Sequence, residues 1–220
     1  MGRLIELLDY TLLKPTANKI DLDLFCRESI QNGFKTVFVQ PYWVPYVFAQ
    51  LAEFGIKVGA PIGFSLGGMR TKIKVAETLD CIKHGAAEID MLINIGALKS
   101  QDYMAVKIDI AEVVKAAQGL TTKVIIEAGL LNREEKIAAC NIIMAAGADF
   151  VKTSTGFNGS GATIDDVKLI KSIVGDNLQI KAAGGIRTKQ DVMAMLEAGA
   201  SRIGTSNAVS IVLELEKENI

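Results

Sequence analysis

Ala146-Gly147-Ala148-Asp149-Phe150-Val151-Lys152-Thr153 closes a helix and opens a strand in a single step. Glycine tolerates the left-handed backbone that ends a helix, and a short apolar run behind it reads as a buried strand. The same junction recurs at Asn32-Gly33-Phe34-Lys35, His84-Gly85-Ala86-Ala87 and Ala198-Gly199-Ala200-Ser201. Strands are therefore predicted at 36–39, 88–93, 150–153 and 202–204. Others fit at 56–60, 123–127 and 179–182, with a weaker one at 8–11. Helix-like stretches at 21–32, 71–84, 103–117, 133–146, 164–174 and 189–198 fill the gaps, with Asp21, Asn132 and Thr188 as N-caps. Strict alternation calls for a parallel sheet covered by helices. Eight units in 220 residues suit a single α/β domain over 1–220, a (β/α)8 TIM barrel. A doubly wound open sheet is the alternative, but no Gly-x-Gly-x-x-Gly follows the first strand.

Composition narrows the function. Half of the chain is hydrophobic and 24 basic residues face 25 acidic ones, so nucleic-acid binding has no electrostatic footprint. No apolar stretch is long enough to span a bilayer, and Glu6 and Asp9 interrupt the start where a signal peptide needs an apolar run. Cys26, Cys81 and Cys140 are isolated and odd in number, which reads as reduced thiols of a cytoplasmic protein. His84 is the only histidine, and no Cys/His pair has metal-ligand spacing. Zinc chemistry and triad hydrolysis are disfavoured.

Polar residues stand where barrel strands are expected to be apolar. One alternating set of strand residues faces the helices and the other faces the interior. With Ile89, Met91 and Ile93 outward, Asp90 points in; with Val151 outward, Lys152 points in; with Ile180 outward, Lys181 points in. Lys123 and Glu127 fit the same inward pattern around Ile125. Asp90 and Lys152 each fall five positions after a capping glycine, toward the C-terminal strand ends where barrel enzymes carry their chemistry. A structural ion pair between Lys152 and Asp90 is the plain alternative, although two lysines on adjacent strands bring no structural gain. Neighbouring strands lie about 4.8 Å apart. Two ammonium ions at ~4 Å repel by about 4 kcal/mol at an effective dielectric of 20. That is enough to lower one amine by roughly two to three pKa units. A neutral amine attacks carbonyls, and Asp90 is placed to move protons through a bound water.

The two last strands carry glycine loops, Ala182-Ala183-Gly184-Gly185-Ile186-Arg187-Thr188 and Ile203-Gly204-Thr205-Ser206-Asn207. Barrels that bind phosphate present backbone N–H groups at these two positions. Gly184, Gly185 and Gly204 permit close approach, Ser206 adds a hydroxyl, and Thr153-Ser154-Thr155-Gly156 closes a third side. Arg187 either binds the anion or caps the loop as an exposed charge, the second reading being favoured.

The segments 150–157, 180–188 and 9–15, with Glu88-Ile89-Asp90, Lys123-Val124-Ile125-Ile126-Glu127 and Arg202-Ile203-Gly204-Thr205-Ser206, resemble the deoxyribose-phosphate aldolase family in order and over about residues 5–212. The resemblance implies a reversible class I aldol reaction, in which 2-deoxy-D-ribose 5-phosphate gives acetaldehyde and D-glyceraldehyde 3-phosphate. It implies the Schiff base on Lys152, its pKa-lowering partner on Lys181 and the proton relay on Asp90. Gly156, Gly184, Gly185, Gly204 and Ser206 match phosphate contacts, and Asp9 and Thr11 match residues lining the substrate end. No metal or organic cofactor, no nucleic acid and no membrane partner is implied; members are commonly homodimers or homotetramers. The chain departs from the family pattern at Tyr10, Gln40, Ser65, Ala128 and Asn207. A paralogous aldolase acting on a related sugar phosphate, and a non-covalent phosphate-binding isomerase or lyase, are the other readings. Tyr42 and Trp43 read as packing or interface residues, Met193 and Met195 as core or interface, and 63–68 as a flexible loop over the site.

Overall fold

A computed structural model describes residues 2–217. Eight strands close in chain order into a parallel barrel: β1 (Leu8–Leu12), β2 (Thr36–Val39), β3 (Lys57–Ile62), β4 (Ala86–Leu92), β5 (Thr121–Ile125), β6 (Phe150–Lys152), β7 (Gln179–Ala183) and β8 (Arg202–Thr205). The helices are α1 (Gly2–Ile5), α2 (Lys19–Asn32), α3 (Val44–Leu51), α4 (Thr71–Lys83), α5 (Ile95–Lys99), α6 (Tyr103–Ala116), α7 (Arg133–Ala146), α8 (Ile164–Val174), α9 (Lys189–Glu197) and α10 (Ala208–Lys217). The fold is the expected (β/α)8 barrel. Even the weakly signalled first strand pairs on both sides, with β2 and with β8.

Val37, Ile89, Val124, Val151, Ile180 and Ile203 are buried in the layer between barrel and helices. Removing this apolar surface from water holds the helices on, and the period of two then turns the alternate residues inward. Hydrogen bonding sets the register: Asp90 pairs with Lys123, Lys152 with Lys181, Lys181 with Arg202 and Asp9 with Gly204.

Most expected bounds fall within two residues of the observed ones, and two differences bear on the site and its surroundings. Asp21 is not the N-cap of α2: Asn18 is, and Asp21 sits inside the first turn as its capping-box partner. The fifth strand ends at Ile125, and Glu127 leaves the sheet with φ 51°. Its carboxylate is taken instead by the loop after β6. Asn132 and Thr188 do cap their helices. Outside the barrel, Lys74 of α4 is fully buried and pairs with Asp109 of α6 at 2.5 Å, with a further bond to the Leu92 carbonyl at 2.8 Å. No helix among the described residues is long and apolar enough to cross a membrane.

Candidate active site

Asp90 is the hub of the barrel interior. Its Oδ2 accepts hydrogen bonds from Lys152 Nζ at 2.8 Å and Lys181 Nζ at 2.7 Å, and its Oδ1 from Lys123 Nζ at 3.1 Å. Since both amines bond one oxygen, Lys152 and Lys181 can be no farther apart than the sum of those two lengths. The predicted crowding of like charges is present, and Lys123 makes it threefold. Burial pushes the Asp90 carboxyl up, but Lys123, Lys152 and Lys181 together outweigh it and hold the group well below the usual carboxylate range. Asp90 is therefore a permanent anion near neutral pH.

The depressed amine is that of Lys181, lowered to about 8. Burial is the largest cause. Lys152 and Lys123 add to it, while Asp9 and Asp90 oppose it. Dehydration thus contributes more than the crowding that adjacent lysines predict. Phe38 of β2 lies under the cluster, its ring centroid 3.7 Å from Lys181 Nζ and 4.8 Å from Lys123 Nζ. Gly204 makes room for Lys181: a Cβ there would stand 3.0 Å from Lys181 Cε.

A cavity of about 350 Å³ opens above this layer, at the C-terminal strand ends. Lys152 lines it, whereas Lys123, Lys181 and Asp90 lie beneath. Thr11, Gly156, Gly184, Gly185, Gly204 and Ser206 also line it, beside Thr155, Phe157, Thr205 and Asn207. Asp9 does not. It is fully buried below the cavity, 2.5 Å from Lys181 Nζ and ion-paired with Arg202. Thr153 and Ser154 stay in the wall, where Thr153 Oγ1 donates to the Ala183 carbonyl and accepts from its amide, both at 3.0 Å. Arg187 stands at the rim and is exposed.

The glycine shelf is held by a contact that a side chain cannot enter. Gly161 has φ 76°, a Cβ on it would lie 2.6 Å from the Gly184 carbonyl oxygen, and Ala162 N donates to that oxygen at 3.0 Å.

Of the departures from the family pattern, Asn207 alone lines the cavity. Tyr10 packs at a tilt against the rings of Phe25 and Phe34, with its hydroxyl donating to Glu28 at 2.7 Å. Gln40 holds the Leu13 carbonyl at 2.9 Å, and Ala128 is buried. The Ser65 carbonyl accepts from Asn158 at 2.6 Å, tying the 63–68 loop to the loop after β6. Tyr42 is exposed and Trp43 packs on the core.

The partners of Glu127, and Glu88 and Arg202 as members of the charge cluster, escaped the sequence reading. Glu127 accepts from Thr155 N, Thr155 Oγ1 and Asn158 Nδ2. Glu88 accepts from Lys123 at 2.5 Å, and Arg202 reaches both Asp9 and Glu88. The signal for Glu88 was at hand, since it lies two positions before Asp90, already read as inward; Arg202, at the start of its strand, carried no such mark. Among the described residues, no cluster of His, Cys, Asp and Glu could hold a metal ion.

The family model of the DeoC/LacD family aldolase matches residues 5–211. Deoxyribose-phosphate aldolase 2 of Oceanobacillus iheyensis is 57% identical over 209 residues, 95% of this chain and 94% of that protein. A solved structure named QR15, an aldolase, superposes with a TM-score of 0.95 at 38% identity, covering 100% of this chain and 98% of that one. The deoxyribose phosphate aldolase of Aeropyrum pernix, described as having a unique tetrameric structure, gives a TM-score of 0.90 at 32% identity over 99% and 92% of the two chains.

Proposed function

Because the chain belongs to the DeoC/LacD family of aldolases, we propose that it reversibly cleaves 2-deoxy-D-ribose 5-phosphate to acetaldehyde and D-glyceraldehyde 3-phosphate through a Schiff base on Lys152. One observation carries the assignment of the nucleophile: of the three lysines inside the barrel, Lys152 is the one that opens on the cavity.

Neutral Lys152 Nζ adds to the aldehyde carbon of the open-chain sugar, and loss of water leaves an iminium. The C3 hydroxyl gives up its proton, the C2–C3 bond breaks, and its electron pair passes into the iminium to form an enamine. D-glyceraldehyde 3-phosphate departs. Protonation of the enamine at C2 and addition of water return acetaldehyde and the free amine. Asp90, ionised and beneath the cavity, aligns Lys152 and stabilises the cationic iminium. Lys181 shares the same Asp90 oxygen and titrates near 8, so it is the reservoir from which a proton reaches the cavity through Lys152 or a water. The phosphate meets the backbone of Gly156, Gly184, Gly185 and Gly204 and the Ser206 hydroxyl, which line the same cavity as Lys152. Asp9 acts from below, through Lys181, and Thr11 borders the sugar. The tetramer described for the Aeropyrum pernix relative supports assembly as a homodimer or homotetramer.

The test is aldehyde release from 2-deoxyribose 5-phosphate, ribose 5-phosphate and unphosphorylated 2-deoxyribose. Acetaldehyde is expected from the first, with kcat/KM above the unphosphorylated sugar by about a hundredfold, the worth of roughly 3 kcal/mol of charge-assisted contacts. Preference for a different phosphorylated sugar would move the substrate assignment, and Asn207 is then the residue to exchange first. Silence with all three overturns the aldolase reading.

A further inference from the structure

The charges inside the barrel form one connected set. Asp9 of β1, Glu88 and Asp90 of β4, Lys123 of β5, Lys152 of β6, Lys181 of β7 and Arg202 of β8 are linked by ion pairs no longer than 3.5 Å. From β2, Thr36 and Phe38 face it; the charged residue of β3, Lys57, is exposed. Glu127 lies outside the set, held by the neutral donors Thr155 and Asn158. Lys14, paired with Asp21, and Arg187 are exposed at the rim.

Three carboxylates therefore face four cations. With every lysine protonated, the set carries an uncompensated positive charge in a barrel interior that meets solvent only at Arg202, 17% exposed, and at Lys152 on the cavity, which is unfavourable. Loss of one lysine proton makes it neutral. Arg202 cannot be the source, because a guanidinium keeps its proton in proteins. It holds Asp9 Oδ1 through Nε at 3.0 Å and through a terminal nitrogen, and it reaches Glu88 Oε2 at 3.5 Å. Asp9 and Glu88 are thus partly neutralised by a charge that cannot leave, and less of them remains for the lysines above.

We infer that Arg202 is a positioning residue for the reaction: acting through Asp9, its fixed charge at the barrel floor makes the lysine set shed a proton near neutral pH. The inference rests on the Schiff-base reading of Lys152. The opposing pulls on Lys181 agree with it, since Asp9 favours its protonated form while Lys152 and Lys123 disfavour it, and Arg202 is among the groups that keep Asp9 ionised.

The test follows the pH dependence of the acetaldehyde adduct on Lys152, trapped by borohydride and read by peptide mass, in R202Q, R202K, D9N and the R202Q/D9N double variant. R202Q frees Asp9 to neutralise Lys181, so the acid limb moves up by about one pH unit and the rate below it falls about tenfold. D9N removes an anion and moves the limb down. The double variant deletes one charge of each sign and returns the limb to its original place, as does R202K. A merely structural role lowers the amplitude in all variants without moving the limb. If R202Q does not fold, the displacement of D9N relative to the double variant decides the matter. Adducts on Lys152 whose limb stays fixed, or moves the same way in R202Q and D9N, overturn the inference. Absence of any Lys152 adduct in the unaltered protein overturns the aldolase reading instead.

Discussion

Lys181 shows how a single side chain links the fold to its chemistry. Its amine is lowered from 10.5 to about 8, first by burial and then by Lys152 and Lys123. Between those pH values this side chain holds its proton in the unfolded chain and not in the folded one, so its own contribution to stability rises with pH across the window and its deficit is complete below about 8. At 1.36 kcal/mol per unit this amounts to about 3 kcal/mol. Lys181→Met removes this one group; the buried thiols of Cys26, Cys81 and Cys140, pushed up to about 12, pull the slope the other way in both proteins, so denaturant unfolding between pH 8 and 10.5 is expected to give a more positive slope in the unaltered protein than in the variant. Equal slopes in the two proteins contradict the lowered amine. The inward aim of Asp90, Lys152 and Lys181 was legible because their neighbours Ile89, Met91, Val151 and Ile180 had to enter the outer core. The place of Asp9 was not. Its strand reads weakly, and only the pairing of β1 with β8 brings it to Arg202 and Lys181 rather than to the cavity.

The elements fit together through loops whose details local sequence does not encode. The glycine junctions located helix ends correctly, as at Gly33 and Gly147, both left-handed. They could not reveal that Gly161 in the loop after β6 is pressed on Gly184 in the loop after β7, a contact between segments distant in sequence. Gly161→Ala adds a Cβ at φ 76° with 2.6 Å to the Gly184 oxygen. The glycine shelf must then shift, and a 1 Å misplacement is enough to change binding markedly. A KM for the phosphorylated sugar raised by about tenfold or more is expected, with KM for the unphosphorylated sugar little changed; steady-state kinetics on both substrates separates this from a general loss of fold. Equal effects on the two sugars would remove the shelf from phosphate binding. Glu127 belongs to the same scale. It was read as the end of a strand because the 123–127 run is apolar between two charges, yet the Thr155 and Asn158 donors draw it out of the sheet.

In the whole molecule, an apolar shell between strands and helices encloses a polar barrel interior. That inversion made the fold readable, since apolar positions at period two defined the strands and the charges left between them defined the site. What remained hidden were pairings made only by closure, such as β1 with β8, and those made between helices, such as Lys74 with Asp109. Both join residues far apart in the chain, and no local pattern marks them. The central claim is that the one interior lysine facing the cavity is the nucleophile, held by two buried neighbours that do not touch substrate. Incubation with acetaldehyde at pH 7, borohydride reduction and peptide mass mapping tests it most directly. The account predicts a single reduced adduct, on Lys152, lost in Lys152→Met; an adduct on Lys123 or Lys181, or none at all, would contradict it.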